Sequence, residues 1–261
     1  MSGKILAAID IGNTHIVTGL LKEDRQLLDT ERMAADRDLS AVSYEKMLRA
    51  LLERQGLQAE DLQGAAMSSV VPEVNEAVRE GTRRVLGREP MLLEDVRGLD
   101  LHIETEHPEK VGKDMLADAA GALEEYSGDL IIFDLGTATT CSVVTADRRY
   151  LGHLIIPGMM TSSHALAEKA SQLPEIRPEI PARLIGKNTV ESMQSGLIHG
   201  TAAMVDGLID RVEEELGHPA TAVATGGLAA LIAPCCRRKL TVDPELLLKG
   251  LWYLYQRNES R

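Results

Sequence analysis

Aromatic side chains are scarce in this 261-residue chain: one Phe, one Trp and five Tyr make up 3% of it. The core must therefore be aliphatic, and a row of stacking platforms for single-stranded nucleic acid is not expected. Cysteine is scarce too. Cys141 stands alone and Cys235 and Cys236 are adjacent, which gives neither a disulfide framework nor CxxC metal spacing, so all three read as reduced packing thiols. Long apolar runs are missing: no stretch reaches the roughly 18 residues that span a bilayer. Met1-Ser2-Gly3-Lys4 leads straight into a short apolar strand rather than a signal-peptide pattern. A cytoplasmic protein with no membrane partner is expected. Excess positive charge is lacking as well. Against 40 Asp and Glu there are 28 Lys and Arg, a net charge of -12, so no basic stripe is available to displace counterions and nucleic acid is not an expected partner. The short run Arg237-Arg238-Lys239 reads as a solvated turn. A nucleotide remains compatible, because it arrives with cations and is gripped by a few local groups.

What is present is an ordinary globular share of hydrophobic residues, 44%, arranged in short strands and helical stretches. Ile5 to Ile9 and Ile16 to Leu21 are apolar runs around the polar turn Asp10-Ile11-Gly12-Asn13-Thr14, a β-hairpin pattern. Apolar spacing predicts a helix from Ser43, taken as its N-cap, to Gln55. A strand follows over 64–71, then helices over 74–86 and 115–126, with a polar loop from Glu104 to Pro108. Leu130 to Phe133, the turn Asp134-Leu135-Gly136-Thr137-Ala138-Thr139-Thr140 and the strand Cys141 to Thr145 repeat the first hairpin. That internal repeat predicts two similar α/β lobes with a nucleotide cleft between them, over residues 1–120 and 121–261. Ile185 to Glu214 and Pro244 to Tyr255 read as mainly helical, and Thr221 to Ala224 as a strand entering Thr225-Gly226-Gly227.

Neither GxxxxGK[ST] nor GxGxxG occurs, so phosphate binding has to be sought in other turns. Gly12 permits positive φ and close backbone approach, which lets the amides of residues 12–14 face phosphate oxygens, and Thr14 adds a hydroxyl. Asp10, at the end of a buried strand beside that anion site, is placed to hold Mg²⁺ directly or through water. A hairpin whose Asp and Asn merely favour the turn reads the same way. The second acidic, glycine-containing turn at Asp134 shifts the balance, since two such turns can hold a triphosphate and its metal from both sides. Thr225-Gly226-Gly227, before Leu228, is a third turn where nucleotide can approach a helix start.

These stretches, together with Gly112-Lys113-Asp114, Gly152 to Gly158, Ile185 to Gly196 and Asp243 to Gly250, resemble the successive motifs of type III pantothenate kinases. The resemblance runs over almost the whole chain. It implies the duplicated ribonuclease-H-like, actin-like ATPase fold and ATP-dependent phosphorylation of the terminal hydroxyl of pantothenate, the first step of coenzyme A synthesis. It further implies a homodimer that uses Mg²⁺ and a monovalent cation. By position, it puts ATP phosphates on Asp10, Ile11, Gly12, Asn13, Thr14, His15, Ile16 and Val17, with Asp10 near Mg²⁺, and on Thr137, with Gly226 and Gly227 also in the ATP site. Asp134 becomes the ligand of K⁺ or NH₄⁺. Asp114 becomes the general base, Gly112, Lys113 and Met115 line the acceptor site, and Thr189 reaches the pocket of the neighbouring subunit. Two positions depart from the pattern: Met115 stands where the family carries Arg, and Thr105 where it carries an aromatic. They leave open a kinase of the same fold acting on another small hydroxyl compound, or a nucleotide-binding regulatory relative without useful turnover. Retention of Asp10, Asp114 and Asp134 argues against the last.

Overall fold

The structure, a computed structural model, describes residues 5–93 and 99–259; the opening Met1 to Lys4 lies outside that range. The chain divides into two compact units. The first holds residues 1–101, 107–124 and 245–261, and the second residues 102–106 and 125–244.

In the first unit β1 (Ile5–Ile11) is apolar on both faces and becomes the middle strand of five, in the order β3-β2-β1-β4-β5. β2 (His15–Leu21) and β3 (Leu27–Ala34) continue it antiparallel, and β3, with its alternating exposure, takes the edge. After α1 (Ala41–Arg54), β4 (Leu62–Ser69) returns parallel to β1, the geometry that a helical crossover permits. α2 (Pro72–Leu86) and the short β5 (Met91–Leu92) follow. Tyr44 and Leu48 of α1 and Val74 and Val78 of α2 cover one sheet face with Ile9, Ile11 and Met67. α3 (Lys113–Glu125) and α7 (Leu246–Glu259) cover the other, where Ala117, Ala120, Leu248 and Leu251 pack on Leu6, Ala8 and Ala66. α3 and α7 touch backbone to backbone: a Cβ on Gly121 would lie 2.5 Å from the carbonyl oxygen of Leu246.

The second unit repeats this plan. β7 (Leu130–Leu135), β8 (Ala138–Val144) and β9 (Arg149–Pro157) form an antiparallel meander, and β10 (Thr221–Thr225) and β11 (Thr241–Val242) lie parallel on the far side of β7. The run β9-β8-β7-β10-β11 reproduces β3-β2-β1-β4-β5, with β6 (His102–Ile103) added parallel beyond β9. α4 (Met159–Lys169), the long α5 (Thr189–Leu216) and the single turn α6 (Ala229–Ile232) complete it.

Several expectations shift. Ser40, not Ser43, caps α1: its φ and ψ are extended, and its Oγ accepts from Ser43 N at 3.1 Å. β4 stops at Ser69 because Val71 caps α2, its amide donating to Ser69 Oγ at 3.1 Å. α5 starts at Thr189 rather than Ile185, since Asn188 accepts from Glu191 N and Glu191 accepts from Lys187 N, which closes the first turn there. The division expected at residue 120 is also displaced. The apolar face of α7 is buried on the first sheet, so the chain returns to the first unit at Glu245.

Candidate functional site

In the first unit Asp10 is the penultimate residue of β1, half-buried, with Ile11 closing the strand. The turn that follows is held by Gly12 N donating to His15 O at 3.0 Å, Ala35 N to Thr14 O at 3.1 Å and Val70 N to Ile11 O at 3.0 Å. Asn13 and Thr14 are exposed to solvent. Ile11 and Ile16 are wholly buried in the core, so of these two only the main chain can serve a ligand, while His15 and Val17 are half-buried. Gly12 departs from expectation: its φ is not positive, and a Cβ there would meet its nearest atom, His15 O, at 3.5 Å, an ordinary contact. Neither backbone conformation nor internal crowding demands a glycine at this position.

The same unit carries Asp114, in the first turn of α3, the helix packed on the face of the sheet to which Leu6 and Ala8 point. Burial pushes the Asp114 carboxyl above the ordinary aspartate range, against the opposing effect of Met115 N, which donates to Oδ1 at 2.8 Å. A Cβ on Gly112 would run into Asp114 Oδ1, so glycine there leaves room for the carboxylate. Lys113 is half-buried. The Met115 side chain is buried, only 7% exposed, and lies against Gly112. In the second unit the half-buried Thr105 holds a buried Oγ1 with no hydrogen-bond partner among the described residues.

The second unit gathers Asp134, Thr137, Gly226 and Gly227. Asp134 is again penultimate in its strand, paired in register with Thr225 of β10. Gly226 follows with φ +87°, and a Cβ on it would lie 2.8 Å from both N and C of Leu135 and closer still to Asp134 Oδ1. Leu228 N donates to Leu135 O at 3.1 Å, which fixes this glycine turn over the Asp134 turn. α6 is a single turn of four residues, too short to offer the helix start that the sequence suggested after these glycines. Thr137 is exposed. Its carbonyl accepts from Thr161 Oγ1 at 2.7 Å, and Gly158, which caps α4, sits so close that a Cβ would be 2.6 Å from Gly136 O. Gly158 and Thr161 were not singled out as site residues by sequence, although the Pro157-Gly158 pair before a helical stretch was the available signal.

Thr189 stands apart from these groups, exposed at the first position of α5. A cavity of about 620 Å³ opens beside it, walled by Ser163, Leu166, Asn188, Met193 and Leu197.

A family model of type III pantothenate kinases matches residues 6–211. The chain belongs to the type III pantothenate kinase family. It is 41% identical to a type III pantothenate kinase of Exiguobacterium sibiricum over 98% of this chain and 100% of that protein. A second, from Moorella thermoacetica, is 39% identical over 97% and 100%. Among solved structures, the activator of 2-hydroxyisocaproyl-CoA dehydratase from Clostridium difficile, with bound ADPNP, matches with TM-score 0.58 at 13% identity, covering 98% of this chain and 96% of that one. A ROK family glucokinase from Streptomyces griseus, in complex with glucose and AMPPNP, matches with TM-score 0.53 at 12% identity over 98% and 100%. At such identities these two likenesses speak for fold alone. The fold is the duplicated actin-like ATPase fold, and the strand order of the first unit recurs in the second.

Proposed function

We propose that this chain transfers the γ-phosphoryl group of ATP to the terminal hydroxyl of pantothenate, giving 4'-phosphopantothenate in the first step of coenzyme A synthesis. The observation that carries the reading is Asp114. In a chain that follows the family over nearly its whole length, this carboxylate opens a helix, is kept clear by Gly112, and has its proton affinity raised by burial. A carboxylate in that state accepts a hydroxyl proton better than an ordinary surface aspartate. The amides and hydroxyl of the 12–14 turn, and Thr137 with Gly226 and Gly227, serve the nucleotide, and Gly112, Lys113, Met115 and Thr189 serve the acceptor.

The donors at Asp10 suit Mg²⁺: a half-buried carboxylate, a buried hydroxyl on the next strand at Ser68, and the exposed Thr14 hydroxyl are all hard oxygens. Among the described residues no cluster of three His, Cys, Asp or Glu side chains forms, which fits an ion shared between one carboxylate and phosphate oxygens. When bound, the ion neutralises charge on the phosphates. Asp134, wrapped by the Gly226 turn, offers carboxylate and carbonyl oxygens to K⁺ or NH₄⁺. A homodimer is supported by the exposed apolar side chains, because among the described residues all of the large ones except Val42 lie in the second unit, at Leu154, Ile155, Leu166, Ile180, Leu184, Ile185 and Val190. No described helix is long and apolar enough to cross a membrane; a cytoplasmic location is part of the same proposal.

A coupled ADP-release assay with pantothenate and a panel of other hydroxyl compounds tests the activity. ADP release that depends on pantothenate is expected; release only with another acceptor, or none with any, would overturn it. The same assay in sodium, potassium and ammonium salts at fixed ionic strength tests the cation, where equal rates would count against Asp134. Light scattering of the active protein at micromolar concentration tests the dimer.

A further inference from the structure

Ser68 is a strongly buried hydroxyl beside Asp10, counted above among the hard oxygens there but given no role of its own. It is 1% exposed, and its Oγ meets no hydrogen-bond partner among the described residues. Its place is set by register: β4 runs parallel to β1 with Ser68 paired to Asp10, one step beyond Met67 with Ile9 and one before Ser69 with Ile11. Residues paired in register project to the same side of a sheet. Leu6, Ala8 and Ala66 on that side pack with Ala117 and Ala120 of α3, the helix that Asp114 opens. Ser68 therefore shares a sheet face with the carboxylate of Asp10 and with the helix of the proposed base. Its neighbour Ser69 is committed to structure, donating to Asn75 Oδ1 at 2.5 Å and accepting from Val71 N.

The second unit repeats the placement. Thr225 of β10 is paired with Asp134 and is 4% exposed. The duplicated fold thus sets a buried hydroxyl beside each of its two strand-end aspartates. A hydroxyl kept from water with no partner is unfavourable, and serine at a strand position among Ala65, Ala66 and Met67 is simply replaced by alanine unless the oxygen is used.

We propose that Ser68 is a positioning residue of the metal–nucleotide site: its hydroxyl oxygen accepts from a water of the hydrated Mg²⁺ held at Asp10 and so fixes where the ion and the phosphates sit. This rests on the reading of Asp10 as the Mg²⁺ residue. Ser68 touches neither reacting atom, and it acts through the ion's water shell. The chemistry is modest and specific, since Mg²⁺ keeps several waters when one carboxylate and phosphates hold it, and those waters need acceptors in fixed places.

Binding of ADP to the whole protein, measured by calorimetry with and without Mg²⁺ and in the absence of acceptor, tests it independently of turnover. Ser68→Ala and Ser68→Cys are compared with wild type and with Asp10→Asn. Cysteine fills the space of serine and accepts only weakly, so a packing role would survive in Ser68→Cys. The expected result is about tenfold weaker ADP binding with Mg²⁺ in both Ser68 variants, a higher Mg²⁺ requirement, and unchanged binding without Mg²⁺. Wild-type Mg²⁺-dependent binding in either Ser68 variant, while Asp10→Asn loses it, overturns the role of Ser68 alone. Wild-type binding in Asp10→Asn overturns the reading of Asp10 and with it this proposal. If Ser68→Ala fails to fold, Ser68→Cys decides alone.

Discussion

Gly226→Ala is the substitution whose cost the structure specifies best. At φ +87° an alanine pays the left-handed backbone penalty, roughly 1–2 kcal/mol. Its Cβ would also lie 2.8 Å from N and C of Leu135. Those are backbone atoms of a central strand, so no rotamer change relieves the contact, and overpacking of this kind costs about 1–3 kcal/mol more. Gly217 supplies the control. It ends α5 at φ +79°, and a Cβ there has nothing within 4 Å, so Gly217→Ala pays only the backbone part. For a protein of this size 1 kcal/mol moves the melting midpoint by about 2–4 °C. Gly217→Ala should lower it by a few degrees and Gly226→Ala by on the order of 10 °C. Because the clash also pushes on Asp134 Oδ1, Gly226→Ala should raise the K⁺ concentration needed for half-maximal ADP release, whereas Gly217→Ala should leave it alone. Thermal melts and a K⁺ titration decide the matter. Equal melting shifts in the two variants, or an unchanged K⁺ requirement in Gly226→Ala, would refute the assignment of Gly226 to the Asp134 site.

Asp114→Asn should cut turnover by roughly 10²–10⁴-fold, the contribution typical of a positioned base, and should remove the acid limb of the wild-type pH profile, which burial displaces above the ordinary aspartate range. Since burial raises the folded-state pKa, the ionised form is penalised in the native protein. The cost is absent below the ordinary aspartate pKa and grows as pH rises through the raised one, so Asp114→Asn should melt higher than wild type at neutral pH and lose that advantage in acid. Gly12→Ala, unopposed by φ or by near contacts, should melt like wild type yet raise the KM for ATP; an unchanged KM would remove the turn from the nucleotide site. Met115→Arg should lower the KM for pantothenate and, because position 115 is only 7% exposed, should also lower the melting midpoint. An unaltered KM would mean that Met115 is neutral for the acceptor.

Most of the strand framework was legible because it rests on uninterrupted apolar runs. Ile5 to Ile9 and Leu130 to Phe133 read as buried strands, and the repeated Asp-x-Gly turn marked the duplication. β3 and β9 were missed for the opposite reason. Leu27–Ala34 mixes Asp29, Thr30, Glu31 and Arg32 among apolar residues, as an edge strand does, and Arg149–Pro157 carries His153 and Gly152 within it. Short strands such as His102–Ile103 have too few residues for any period. The Ser68 signal was hidden in Ala65-Ala66-Met67-Ser68-Ser69, where only the register with β1 separates a capping serine from one facing Asp10.

The two turns look alike in sequence and differ in how they are held. The 12–14 turn has exposed side chains at Asn13 and Thr14, tolerates a Cβ at Gly12, and is held by main-chain bonds to His15, Ala35 and Val70. The Asp134 turn is pressed by Gly158 on one side and Gly226 on the other, with Thr161 holding the Thr137 carbonyl. Preorganised oxygens suit an ion that is weakly attracted and must not cost reorganisation each time it binds, whereas a turn that meets an exchanging nucleotide gains from leaving its amides and hydroxyls at the surface. Duplication thus supplied one strand-end aspartate twice and packed each copy differently: in the first unit the carboxylate has the buried hydroxyl of Ser68 beside it and an open turn, and in the second it has a glycine laid directly against it.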